Sequence, residues 1–228
     1  MEYLHNGFTL ELCQGAFPLS TDSIALSGFV RLPKQATVLD LGAGCGTLGL
    51  LLCAKDQGCT VTGIEVDENA HHTALKNAES NQLSSRLTSI CADLRTISTL
   101  VASGSFHTCI SNPPYFSAEQ ESANSSARHE RLCTLDDLFA AAGWAVRYGG
   151  DFFLVHKPER LAEVCACAAA HKLEPKRLQL LRHRASDPIS LILLQCRKGA
   201  KPGLIIEEAY LQEEDGGPSE YYRRLYHI

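Results

Sequence analysis

The segment Thr37-Val38-Leu39-Asp40-Leu41-Gly42-Ala43-Gly44-Cys45-Gly46, continued by Thr47 to Leu52, leaves few folds open. A short apolar run emptying into a glycine-rich turn reads as a buried strand, and the next apolar stretch as a helix packed behind it. Three more apolar runs follow, Cys59 to Ile64, Leu87 to Cys91 and His107 to Ile110, each closed by a polar residue: Glu65, Asp93 and Asn112. The pattern predicts a helix from about Glu68 to Asn81 between the first two. Strands alternating with helices imply a parallel, doubly wound α/β sheet. Further on, a helix is expected over Leu135–Tyr148, stopped by Gly149-Gly150. A strand over Asp151–His156 and a helix from Pro158 to about His171 come next. Leu178–Leu181 and Ile189–Cys196 read as strands whose short link, about seven residues, favours antiparallel pairing.

The 228 residues suit a single domain over 1–228, with a strand and helix extension over 1–36 and a tail over 203–228. Phe8–Leu12 alternates weakly, and Ser20 or Thr21 caps a helix of about ten residues. The tail holds one possible strand, and its end is expected to be poorly ordered. No apolar run reaches the roughly 18 residues of a membrane span. The N-terminus has neither the basic region nor the apolar core of a signal peptide. The ten cysteines contain no C-x-x-C and fall singly in apparent strands and helices, save for Cys165-Ala166-Cys167. These features are expected of reduced thiols in a cytoplasmic protein, without disulfides, metal or membrane, that is a monomer or weak dimer.

The net charge of −5 is unevenly spread. Between residues 171 and 201, Lys172, Lys176, Arg177, Arg182, Arg184, Arg197, Lys198 and Lys201 face only Glu174 and Asp187. Such a block is either a solvated surface or a place to meet a polyanion.

Gly42–Gly46, Glu65, Asp93 and Asn112 all follow strand C-termini, the edge at which open parallel sheets bind ligands. Glycines admit a ligand close to the backbone, and the following helix points free N–H groups at it. Gly44-x-Gly46-x-x-Gly49 with an acid about 20 residues later also satisfies the dinucleotide fingerprint. Asp40 argues against NAD, since it would lie near the pyrophosphate and repel it. S-adenosylmethionine brings an ammonium and a sulfonium instead, which favour a carboxylate. Asp40 would then hold the cofactor, Glu65 its ribose hydroxyls and Asp93 its adenine amine. The competing roles are local: Asp40 capping the loop's own amides, Glu65 as a strand-end carboxylate, and Asp93 as the N-cap of the segment from Leu94.

Ser111-Asn112-Pro113-Pro114-Tyr115 forms the end of the fourth strand. Two prolines fix φ and donate no hydrogen bond, and residues before proline are pushed to extended conformations. The Asn112 side-chain oxygen and the Pro113 carbonyl can thus be held as two acceptors for a planar amino group, with Tyr115 as a stacking face. An ordinary Asn-Pro turn is the competing reading. The polar stretch from Phe116 to Cys133 is long for a loop and suits a functional segment.

With these motifs in this order, the chain resembles class I S-adenosylmethionine-dependent methyltransferases that modify amino groups. Within them it is most similar to the bacterial tRNA adenine-N6 methyltransferases acting beside the anticodon of valine tRNA. Pro18-Leu19-Ser20-Thr21-Asp22-Ser23, Ala127-Arg128-His129-Glu130, Val155-His156-Lys157-Pro158-Glu159-Arg160-Leu161 and Leu173-Glu174-Pro175-Lys176-Arg177-Leu178 carry that finer likeness. The resemblance implies a Rossmann-like seven-stranded sheet with the last strand antiparallel. It implies Thr21, Asp40, Gly42, Gly44, Gly46, Glu65, Asp93 and Asn112 at the cofactor, and Asn112, Pro113 and Tyr115 in catalysis. Pro114, Tyr115, Arg128, His129 and Lys157 would contact a tRNA adenine. Glutamine-amide methylation of a protein uses the same turn, but those enzymes usually carry a long helical domain ahead of the glycine loop. The same motifs also admit methylation of ribosomal RNA or DNA amino groups, and a non-catalytic RNA-binding scaffold.

Overall fold

The computed structural model describes residues 1–4, 7–16, 18–114 and 133–227. Strands β1 (Glu2–Tyr3) and β2 (Thr9–Leu10) form a small antiparallel pair, followed by helix α1 (Thr21–Phe29). The central region alternates β3 (Thr37–Leu41), α2 (Thr47–Lys55), β4 (Thr60–Glu65), α3 (Glu68–Ser80), β5 (Leu87–Cys91), α4 (Ile97–Leu100) and β6 (Phe106–Ser111). After it come α5 (Leu135–Ala145), β7 (Val146–His156), α6 (Leu161–Ala170), β8 (Leu173–Arg182), β9 (Ile189–Lys198), β10 (Ile205–Tyr210) and α7 (Glu220–Tyr226).

Among the described residues the main sheet has eight strands in the order β10-β8-β9-β7-β6-β3-β4-β5. Strand β9 runs antiparallel to both neighbours, β7 and β8, while the other pairings are parallel. Seven strands with β9 reversed give the Rossmann-like arrangement expected. The eighth comes from the tail, where β10 pairs with Arg177–Arg182 of β8. Pro175 sits just before that pairing begins, so its missing N–H costs no ladder bond to β10.

Two clusters fill the faces of the sheet. One gathers α1 and α2 around Leu26, Leu50, Leu52 and Phe153; the other gathers α5 and α6 around Phe139, Phe152, Leu154 and Val164. Phe139 and Phe152 meet edge to face at 5.1 Å. Cys45, Cys53, Cys59, Cys109 and Cys196 are buried as small apolar residues, whereas Cys91 at the end of β5 is exposed.

Three expectations need correction. The helix over 135–148 stops at Ala145, and β7 begins at Val146. Gly149 has φ +76°, and the register against β6 shifts before Asp151, so the glycines form an irregularity inside the strand and not a helix stop. The end of the tail is packed: Leu225 of α7 is buried over Gly28 of α1, where a Cβ would come within 2.3 Å of it. The basic block of 171–201 is divided by its strands. Arg182 and Arg184 emerge at one end, and Lys172, Lys176, Arg177, Arg197, Lys198 and Lys201 at the other.

Candidate functional site

The glycine loop follows β3 and folds back over β4. Gly42 and Ala43 donate to the Ile64 carbonyl at 3.0 and 3.1 Å, and Gly46 closes the turn onto Ala43 at 2.9 Å. Gly42, Gly44 and Gly46 all have positive φ, and a Cβ on Gly42 or Gly44 would meet only open space. The loop is therefore bare backbone with open space beside Gly42 and Gly44, and Gly46 caps α2 without a side chain. Its seat depends on Gly63, where a Cβ would stand 2.6 Å from that of Ala43. A glycine inside a strand was the available signal for this close approach.

Glu65 ends β4 and is buried. Its Oε2 accepts from Gly44 N and its Oε1 from Asp67 N, both at 2.8 Å, tying the loop to the start of α3. Asp40, on β3, is 1% exposed, and neither of its oxygens has a hydrogen-bond partner among the described residues. Burial first, and the Glu65 carboxylate second, push its pKa up to about 8. The capping role considered for Asp40 thus finds no donor here. A buried acid with two unspent acceptors fits a cationic or hydrogen-bonding ligand. The bare loop, Asp40 and Glu65 together fit S-adenosylmethionine better than a pyrophosphate.

Asp93 does cap the turn that precedes α4. Its Oδ1 accepts from Arg95 N at 2.9 Å, and its carboxylate is also gripped by the Arg95 guanidinium, which holds it below the ordinary carboxylate range. Any bond to an adenine amine uses lone pairs left over from that pairing.

Asn112 leaves β6 beside the glycine loop. Asp40 pairs with Ile110 across β3 and β6, and two residues further along each chain come Gly42 and Asn112. The Asn112 Nδ2 donates to Ser23 Oγ at 3.0 Å, and Ser111 Oγ donates to the Leu41 carbonyl at 2.7 Å. Ser23 is buried one turn into α1, whose N-cap is Ser20. Thr21 opens that helix, with its hydroxyl 3.5 Å from Tyr226 Oη of α7. Pro113 and Pro114 continue the turn. Lys157 follows β7 at the same sheet edge, after His156, whose pKa burial and Arg160 push down to about 4. Tyr115, Arg128 and His129 lie outside the described residues, as does most of the long polar stretch.

Sequence reading missed the residues that fix the N-terminal segment to this site. Asn77 of α3 bonds Glu11 N, Glu11 O and the Cys45 carbonyl at 2.8–2.9 Å. Asn81, one turn later, bonds Thr9 N and O at 2.8 and 2.7 Å. The two asparagines act as a side-chain ladder for an extended strand, and Cys13 and Cys45 are brought to an Sγ–Sγ distance of 3.6 Å.

The sequence profile of the methyltransferase small domain matches residues 23–165, from the middle of α1 through β7 to α6. The chain belongs to the methyltransferase small domain family. Curated relatives of this methyltransferase include proteins named tRNA1(Val) (adenine(37)-N6)-methyltransferase. The one from Photobacterium profundum is 25% identical over 91% of this chain and 88% of its own. The one from Shewanella halifaxensis is 28% identical over 76% and 71%. Among solved structures, an Agrobacterium tumefaciens protein described as a predicted O-methyltransferase superposes with a TM-score of 0.77 at 20% identity, covering 91% of this chain and 96% of that one. Geranyl diphosphate methyltransferase in complex with S-adenosylmethionine superposes at 0.56 over 77% and 84%, at 13% identity. These structural likenesses speak to the fold. No helix among the described residues is long and apolar enough to cross a membrane.

Proposed function

We propose that this methyltransferase moves a methyl group from S-adenosylmethionine to the exocyclic amine of an adenine in tRNA, beside the anticodon, and that one domain carries out the reaction. The observation that carries the reading is the Asn112-Pro113-Pro114 turn set against the glycine loop, with the donor end of the Asn112 amide spent on Ser23. An amide has one donor end and one acceptor end. With Nδ2 held by α1 the plane of the amide is fixed, and Oδ1 would be the atom that accepts from the target's amino group. The names of the curated relatives support adenine as the target.

The cofactor supplies an electrophilic methyl on a sulfonium. The chain's own residues hold and aim. Asp40 and Glu65, with the amides of Gly42–Gly46, would take the cofactor's amine and ribose, and Asp93 its adenine. Thr21 would stand at the cofactor and target from the start of α1. Asn112 Oδ1 and the Pro113 carbonyl would accept both N–H bonds of the target amine and turn its lone pair out of the ring plane. Positioning and electrostatics then account for the rate, with no strong base needed before attack. Pro114 and Tyr115 would replace the stacking that the extruded base loses, while Arg128, His129 and Lys157 would meet its neighbours. The partner is RNA, met by a cytoplasmic monomer or weak dimer without metal.

The test is tritiated methyl transfer to unmodified total tRNA, with unmodified release factor in a parallel reaction. Label recovered as N6-methyladenosine from tRNA, and abolished by Asn112→Ala with cofactor binding retained, is the expected result. Label in protein only, or near-normal turnover in the variant, overturns it.

A further inference from the structure

The edge of the sheet opposite the glycine loop carries a second concave feature. A cleft of about 610 Å³ is framed by Arg31 and Pro33 after α1, Arg147 and Asp151 of β7, Lys176 and Arg177 of β8, and Arg197 of β9. It lies at the N-terminal ends of β3 and β6, one strand length, roughly 17–20 Å, from the Asn112 turn. Five cationic side chains line it against a single carboxylate, Asp151.

These cations are not equivalent. Arg197 is neutralised by Asp151 through two bonds of 2.9 and 3.0 Å. Arg177 lies 3.8 Å over the Phe29 ring, donates to the Phe29 carbonyl at 2.6 Å and stands 3.5 Å from Glu207. It is fixed, and it contributes field more than free donors. Lys176 spends one of its three donors on the Lys201 carbonyl at 3.0 Å. Arg31 and Arg147 are exposed, and among the described residues neither guanidinium has a hydrogen bond or an ion pair. Gly149, Gly150 and Gly203 keep that part of the wall without side chains, and a Cβ on Gly149 would meet nothing. Arg31 also acts through space: after burial, its charge helps lower the proton affinity of Arg177 and of Lys55, against the opposing charges of Glu207 and Asp151 on the one and Asp56 on the other.

We propose that this cleft is a second binding site, separate from the methyl-transfer edge, for phosphate groups. Two free guanidinium forks and an ammonium converge on a concave surface already held positive by Arg177. That donor set matches the oxygens of a phosphate and has no counterpart for a neutral ligand. The volume is several times that of one phosphate and admits two linked ones or a stretch of nucleic-acid backbone. Two sources offer that chemistry, the backbone of an RNA substrate running past the protein and a free diphosphate compound.

The test is calorimetric titration of the full chain with inorganic pyrophosphate at low ionic strength. The wild type is compared with Arg31→Gln/Arg147→Gln and with Arg223→Gln/Arg224→Gln on α7, which changes the net charge equally elsewhere. Saturable binding weakened about tenfold or more in the first variant and unchanged in the second is expected. No saturable binding, or equal weakening in both variants, overturns the proposal. Filter binding of unmodified tRNA then assigns the source without relying on catalysis. A salt slope reduced by about two in the cleft variant, with pyrophosphate competing, assigns the RNA backbone. An unchanged slope, with pyrophosphate binding weakened in the cleft variant alone, assigns a free diphosphate.

Discussion

Replacing Ser23 by Ala isolates the contact that orients Asn112. The variant removes the acceptor 3.0 Å from Asn112 Nδ2 and leaves that donor in a partly buried position. An unsatisfied buried donor costs about 1–3 kcal/mol. If the cost falls on the geometry from which transfer occurs, each 1.36 kcal/mol is about tenfold in rate, so kcat should fall roughly 5- to 150-fold. Stability should move much less. Ala is the better helix former by a few tenths of a kcal/mol, and the Ser20 cap bonds the backbone N–H at position 23, which the change retains. Cofactor affinity should fall less than kcat. Of the described residues assigned to the cofactor only Asn112 has a side-chain bond to Ser23, while Asp40, Glu65 and the glycine loop are held by other contacts. Steady-state methyl transfer, cofactor titration and a thermal melt on one preparation give the three readouts. Ser23→Thr, which keeps the hydroxyl, should recover most of the loss. A Ser23→Ala enzyme with kcat within twofold of wild type would show that Asn112 needs no help from α1 and refute the orientation argument.

Asp40 gives the protein a pH signature. Its folded pKa of about 8 exceeds the ordinary 3.8, so the folded state keeps a proton that the unfolded chain has lost. That contribution to stability is full below about pH 4 and is lost as pH rises through about 8. Denaturant unfolding of the cofactor-free protein should show the decline, and Asp40→Asn should flatten it. A cationic cofactor favours the carboxylate, so its binding below pH 8 should release a proton, seen as a buffer-dependent calorimetric heat. Gly63→Ala puts a Cβ 2.6 Å from Ala43 and should weaken cofactor binding about tenfold or more in the same titration. Asn77→Ala removes three bonds between the N-terminal segment, the glycine loop and α3, and should cost about 2–3 kcal/mol in a urea titration.

The succession of strands and helices and the polar residues at the strand ends were legible because burial on both faces writes an apolar run, and a polar residue closes it. Asp40, Glu65 and Asn112 could be found for that reason. Ser23, Asn77 and Asn81 could not, since the partners that tie them to the site lie 32–89 residues away and no local pattern marks them. The α5 end was misplaced because Val146 to Gly150 form an irregular strand start whose shape depends on β6. The basic block was visible as composition. Its division between opposite sheet edges depends on where β8 and β9 begin and end.

The contact between α1 and α7 joins residues 205 positions apart, Thr21 and Tyr226. A ribosome makes the helix that seats Asn112 some 205 residues before its cover. During the interval, the groove at Gly28 waits for Leu225 with its apolar floor wet. A nascent chain that already holds the glycine loop and the Asn112 turn still lacks the lid over their supporting helix. Packing of α1 therefore waits until α7 has been made, and a product stopped short of Glu220 would carry the glycine loop and the Asn112 turn without that packing.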